Sequence, residues 1–146
     1  MKLKTILWML LLVFIVSCQT KTNQELEYLN PEGSTNRPFS EAVRVGNLIY
    51  TSGNLGRNPE TGKFEGISSE TKYCLENIKA VLEKNGSSMN QVVKVTVMLA
   101  DINEWGAMND VYTTFFSDNK PARSAFGGNG LAAGARVEIE CIAYVK

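Results

Sequence analysis

The chain has 146 residues, with 15 Lys and Arg against 15 Asp and Glu and no histidine. With no basic surplus, and no basic run beside aromatic residues, nothing points to a nucleic-acid partner. The missing imidazole removes the commonest metal ligand and the commonest general base.

The N-terminus reads as a targeting segment. Lys2 and Lys4 precede an apolar run from Ile6 to Val16, followed by Ser17 and Cys18. A charged start, a short apolar core and a small-residue end make a secretory signal peptide. The run is short of the roughly 20 apolar residues a permanent span needs. Its ending, "IVSC", resembles a bacterial lipobox, in which Cys18 would become the lipidated first mature residue. A plain signal peptide, or an uncleaved anchor with an incidental cysteine, is the alternative. On the lipobox reading residues 1–17 are the signal peptide, residues 18–36 a lipid-anchored tether, and residues 37–146 one domain. The protein would then sit outside the cytoplasm, membrane-anchored in a bacterial envelope. Loss of Lys2 and Lys4 leaves 13 basic and 15 acidic residues in the mature chain. With Cys18 lipidated, Cys74 and Cys141 remain, too few for a four-ligand structural zinc site without other help.

Residues 19–36 are polar and show no period, as expected of a tether that leads into the domain. "FSEAVRVG" and "NLIYTSGN" predict two strands joined at Gly46 and Asn47. Pro59 and Gly62 mark a turn. "SSETKYCLENIKAVLEKNG" predicts a helix capped by Ser68 or Ser69 and stopped at Asn85 and Gly86, with Cys74, Leu75, Ile78, Val81 and Leu82 on one face. "QVVKVTVMLA" predicts a strand. "DINEWGAMNDVYTTFFSD" predicts a second helix, with Asp101 and Glu104 at capping-box spacing and Trp105, Met108, Val111, Tyr112, Phe115 and Phe116 as its core side. In "ARVEIECIAYV" alternation sets Val137, Ile139, Cys141, Ala143 and Val145 on a core face. Arg136, Glu138, Glu140, Ile142 and Tyr144 lie on the other. Both remaining cysteines therefore read as packing thiols. The order is roughly ββ(β)αβαββ, an α+β domain with two helices on one face of one sheet. The second sheet face mixes acids with apolar side chains, which calls for a covering partner.

Three stretches, "NLIYTSGNLGRNPETGKF", "NIKAVLEKNGSSMNQVVKVTVMLADINEWGAMNDVYTTFF" and "KPARSAFGGNGLAAGARVEIECIAYV", together resemble the RidA/YjgF family of enamine/imine deaminases. The resemblance spans about residues 36 to 146. It implies a chorismate-mutase-like α+β fold and a homotrimer whose three sheets form a central barrel, with one site at each subunit interface. It implies no cofactor, since an imine is already electrophilic. The implied reaction hydrolyses 2-imino or enamino acids to 2-keto acids and ammonia.

On that resemblance Arg123, in "PARS", matches the guanidinium that forks the substrate carboxylate. Glu138, the first acid of "VEIE", matches the acid that holds the attacking water, brought near Arg123 by the strand after it. Gly53 and the main chain after Arg123 would supply backbone groups, and Ser52 and Asn109 match further polar positions. Taken alone, Arg123 would be a solvated charge and Glu138 a solvated or paired acid; Ser52 and Asn109 could serve local hydrogen bonding only. Phe39 stands where the family commonly has tyrosine, and Ala125 where it commonly has cysteine. Phe126 is bulkier, and Gly127, Gly128 and Gly130 loosen the loop beyond it. These departures leave the particular imino acid open. A second function stays beside the first: a non-catalytic trimeric lipoprotein that binds a small carboxylate or a partner through the same arginine.

Overall fold

A computed structural model describes residues 25–31 and 36–146. The signal peptide, Cys18 and the proposed lipid site lie outside the described residues. Seven strands form one mixed sheet: β1 (Leu26–Leu29), β2 (Ala42–Val45), β3 (Leu48–Thr51), β4 (Asn54–Leu55), β5 (Val92–Leu99), β6 (Ala122–Gly127) and β7 (Val137–Tyr144). Helix α1 (Ile67–Lys84) and helix α2 (Trp105–Phe115) pack against it. The strand order is β1-β2-β3-β7-β5-β6, with β4 also paired to β7. The β5–β6 pair is parallel and the others are antiparallel. This is the expected single sheet with two helices.

The core follows from alternation. Val137, Ile139, Cys141 and Ala143 of β7, and Val95, Val97 and Leu99 of β5, are buried. The α1 stripe of Cys74, Leu75, Ile78, Val81 and Leu82 is buried with them. Removing one such apolar side chain from water is worth about 1.5–3 kcal/mol, so this layer fixes which way every strand faces. The same parity turns Glu138, Glu140, Ile142 and Tyr144 to the open face, where they are half-buried. A hollow of about 190 Å³ lies on that face, lined by Tyr50, Lys94, Thr96, Glu140 and Ile142 among others.

Four local expectations are corrected. The run expected to be a tether up to residue 36 contains β1, which pairs with β2 from Leu26 opposite Val45 to Leu29 opposite Ala42. Its buried Leu29 docks the strand, a single anchor too sparse to give a period. Helix α1 begins at Ile67 with Gly66 at its N-cap and no side-chain cap, so neither Ser68 nor Ser69 caps it. Instead the Glu70 carboxylate reaches back and accepts from the Gly66 N–H at 3.2 Å. The capping box of the second helix is half made. The Asp101 side chain accepts from the Asn103 N–H at 2.9 Å, opening a 3-10 turn over Ile102–Glu104. Glu104 turns away to form a two-pronged ion pair with Arg136. Lastly, Trp105 is not core: it is 45% exposed, whereas Met108, Tyr112 and Phe116 are buried.

Candidate functional site

The guanidinium of Arg123 is held by one face of α2. Trp105, Asn109 and Tyr112 recur at helical spacing, so all three project to the same side. The Asn109 Oδ1 accepts from Arg123 Nη1 at 2.6 Å. The guanidinium carbon lies 4.5 Å from the Tyr112 ring centre and 5.6 Å from that of Trp105. Both distances suit attraction of a cation to an aromatic face. Among the described residues the Arg123 side chain donates no other hydrogen bond, so its Nε and Nη2 edge is free. That edge offers two parallel donors, the geometry that forks a carboxylate.

Strand β6 carries this group in register with β5. Arg123 lies beside Val95, Ala125 beside Val97 and Gly127 beside Leu99. Because Val95, Val97 and Leu99 are buried under the helices, Arg123, Ala125 and Gly127 share the helix side. Side chains shrink along this row to nothing at Gly127, where a Cβ would come 3.0 Å from the Cβ of Ile102. Ser124 and Phe126 point to the open face. The Lys94 ammonium donates to the Ser124 hydroxyl at 2.8 Å there, and Phe126 is 49% exposed. Ala125 and Phe126, expected to line one pocket, are thus on opposite faces.

Glu138 belongs to a different cluster. It lies on the open face of β7, beside Leu55 of β4 and Met98 of β5. A Cβ placed on Gly53 would come 1.9 Å from Glu138 Oε1, 2.7 Å from its Cδ and 2.9 Å from its Cγ. The carboxylate therefore lies in space that only glycine leaves open. Next to it, the Ser52 hydroxyl donates to the Ser40 carbonyl at 2.6 Å, so its proton is used locally. That bond ties down the segment carrying Phe39, which is 55% exposed.

The expectation that Glu138 is brought near Arg123 by the following strand is corrected within one chain. Arg123 is level with Val95, and Val95 with Cys141, three residues along β7 from Glu138. Two strand spacings of about 4.8 Å and three residues of about 3.3 Å put their Cα atoms roughly 14 Å apart. The two side chains also leave opposite faces of the sheet. Arg123, Asn109 and Ala125 form one half, Glu138, Gly53 and Ser52 the other. A small carboxylic acid cannot touch both halves of the same chain.

Two residues escaped the sequence reading. Glu70, read as a first-turn acid, is fully buried, and its second oxygen accepts from the Arg136 N–H at 2.7 Å. It joins the start of α1 to the residue two before Glu138. The signal for it would have been an acid on the helix face shared with Cys74. Tyr112, read as core, also supports Arg123. Burial raises its phenol above the usual range, and the neighbouring Arg123 charge opposes that rise.

The cysteines are not nucleophiles in this arrangement. Both are free and buried. Burial pushes the Cys74 thiol far up, with the Glu70 and Glu138 charges adding to it. Burial pushes Cys141 up to about 11, against a hydrogen bond with Thr51. Neither is a thiolate at neutral pH.

One mixed sheet carrying two helices on a single face, with an arginine held against the second helix at an edge strand and an acid on the open face, defines a YjgF-like α+β protein. The chain belongs to the family described as endoribonuclease L-PSP, which it matches over residues 31–145. It is 46% identical over 109 residues to a RutC family protein of Pyrococcus abyssi, covering 73% of this chain and 86% of that one. It is 44% identical over 108 residues to the mouse 2-iminobutanoate/2-iminopropanoate deaminase, covering 73% of this chain and 80% of the relative. Among solved structures, RidA of the Antarctic bacterium Psychrobacter sp. PAMC 21119 superposes with a TM-score of 0.70 at 38% identity, covering 84% of this chain and 98% of that one. Yeast Mmf1 does so with a TM-score of 0.73 at 32% identity, covering 84% and 100%.

Proposed function

We propose that this protein hydrolyses small 2-imino acids to 2-keto acids and ammonia, at sites completed between copies of the chain. The observation that carries this reading is the free Nε and Nη2 edge of Arg123, with its other edge spent on Asn109. Curated relatives named as 2-iminobutanoate/2-iminopropanoate deaminases support it. The opposite facing of Arg123 and Glu138 supports the intersubunit part, since one ligand would meet the Arg123 half of one subunit and the Glu138 half of the next. A homotrimer that covers the open sheet face would bring such halves together.

The reaction follows from the two groups. The substrate carboxylate is forked by Arg123, which fixes the imine carbon in position. The Glu138 carboxylate holds a water against that carbon and takes its proton as the C–O bond forms and the C=N π electrons move to nitrogen. The resulting carbinolamine receives that proton on its amine. The hydroxyl proton then passes by way of Glu138 to the amine, and ammonia leaves as the C=O bond forms. Water is consumed, one 2-keto acid and one ammonia are released, and nothing is oxidised or reduced.

The test generates imines in situ from an amino acid with an amino-acid oxidase, and follows trapping by semicarbazide. The wild-type protein should lower semicarbazone formation from the imine, and Arg123→Ala should lose at least about a hundredfold of that activity, as expected when an anchoring charge pair is removed. Equal rates for the two proteins would exclude the reading. Keto-acid binding that depends on Arg123 without any turnover would favour the non-catalytic carboxylate binder.

We further infer a lipid anchor at Cys18, resting on "IVSC" in the sequence. Among the described residues no helix is long and apolar enough to cross a membrane. Cys18→Ala should release the protein from the membrane fraction. Retention there would remove the anchor from the account.

A further inference from the structure

A clamp must be aimed as well as present. Arginine carries several rotatable bonds, and a guanidinium held by a single hydrogen bond still swings about that bond. The Asn109 contact fixes one nitrogen, Nη1. A second constraint is needed to fix the plane.

Tyr112 has the properties of that constraint. Its ring centre is 4.5 Å from the guanidinium carbon, closer than that of Trp105 at 5.6 Å. Tyr112 is only 6% exposed, whereas Trp105 is 45% exposed. The Tyr112 ring is itself braced by Phe116, with ring centres 4.7 Å apart. A braced, dehydrated ring attracts a cation more strongly than an exposed one. Its hydroxyl is buried and has no hydrogen-bond partner among the described residues. The polar end of the residue is thus unused, and the observed contact to Arg123 is through the ring.

We propose that Tyr112 is the positioning residue of the clamp: its ring is the floor on which the Arg123 guanidinium lies, so that the free edge faces the ligand before the ligand arrives. This rests on the reading of Arg123 as the carboxylate clamp. Asn109 sets the rotation of the guanidinium within its plane, and Tyr112 sets the plane. Such a role acts on the carboxylate equally in the ground state and the transition state. Its loss therefore raises KM and leaves kcat nearly unchanged.

The experiment uses the full chain with Tyr112→Phe, Tyr112→Met, Arg123→Ala and the double variant Tyr112→Met/Arg123→Ala. Trp105 is the only tryptophan besides Trp8, so its fluorescence reports pyruvate binding beside Arg123. Imine turnover is measured in parallel, and melting temperature and oligomeric state are checked for each variant. Tyr112→Phe keeps the ring and should bind pyruvate within about twofold of wild type. Tyr112→Met fills similar space without a π face, and should weaken pyruvate binding and raise KM about tenfold, with kcat within about twofold, the scale of a largely desolvated cation–π contact. In the Arg123→Ala background the Met substitution should add nothing, because Tyr112 acts through Arg123. Equal losses for Phe and Met would assign the effect to the hydroxyl and overturn the proposal. So would a Met effect that persists without Arg123, or one that falls on kcat alone. If Tyr112→Met fails to fold, Tyr112→Leu takes its place, and the Phe variant must still bind normally. If Arg123→Ala itself binds pyruvate like wild type, the clamp reading falls first and this proposal with it, an outcome distinct from a silent Tyr112→Met beside an impaired Arg123→Ala.

Discussion

The Arg123 half and the Glu138 half are built by opposite means. Arg123 is held by side chains that were added: Asn109 binds it and Tyr112 and Trp105 lie against it. Glu138 is housed by a side chain that was left out, since any Cβ on Gly53 would occupy its carboxylate. Contacts made by side chains can be weakened by degrees, because each partner carries part of the whole. A space kept by glycine has no such gradation. The smallest possible addition fills it.

That difference orders the expected effects. Gly53→Ala should be the most damaging to chemistry for the least change in structure. Three atoms of Glu138 lie within 3.0 Å of the added carbon, so the whole carboxylate must swing away. On the proposed mechanism, displacing Glu138 costs about 10²-fold or more in kcat. The fold should survive, because the half-buried side chain can turn toward the open face. An unchanged kcat in steady-state kinetics would show that Glu138 does not act from its observed position. A collapse of melting temperature would show that Gly53 serves folding first.

Asn109→Asp probes the other half by charge alone. The new carboxylate would lie where Oδ1 now accepts from Arg123 at 2.6 Å. It would hold the guanidinium at least as firmly while cancelling its charge toward the ligand. KM should rise about tenfold, with stability unchanged or slightly higher and kcat little altered. A fall in kcat with constant KM would mean that Asn109 meets the substrate directly.

A further expected effect, on stability rather than activity, concerns the core between the halves. Cys141 is level with Arg123 through Val95, and its folded thiol titrates near 11 against an ordinary value of 9.0. Above pH 9 the unfolded chain releases this proton first while the folded one keeps it. The contribution is therefore complete below pH 9 and is lost as pH rises toward 11. A tenfold difference in proton affinity between the two states is worth about 1.36 kcal/mol, so by pH 10.5 this group should make unfolding by urea easier by about 2 kcal/mol. Cys141→Ala should flatten that slope. An identical slope in the variant would place the alkaline sensitivity elsewhere.

How far the sequence foretold this molecule depends on the range of the interaction. Helix α1, β5 and β7 were legible because their periods are local and their apolar faces crowded. Arg123, Asn109 and Glu138 were legible through the motifs around them. Their facing was not, because the parity of β6 against β7 depends on register with β5, set by packing between distant segments. Trp105 fits the apolar stripe of α2, yet it lies over a charge at the sheet's edge rather than in the core. Glu70 was hidden for a related reason: its partner, the Arg136 N–H, is 66 residues away. Strand β1 was missed because an edge strand with one buried residue needs no alternation.

That edge strand has a mechanical consequence. The sheet begins at Leu26, leaving only residues 19–25 between the proposed lipidated cysteine and β1. Fully drawn out, seven residues reach about 25 Å. Were Cys18 lipidated as proposed, a domain on so short a leash would not roam or tumble freely above a bilayer. It would ride close to the lipid headgroups with the β1 edge nearest them, and ligands would reach it chiefly from the flanks and the side away from the membrane.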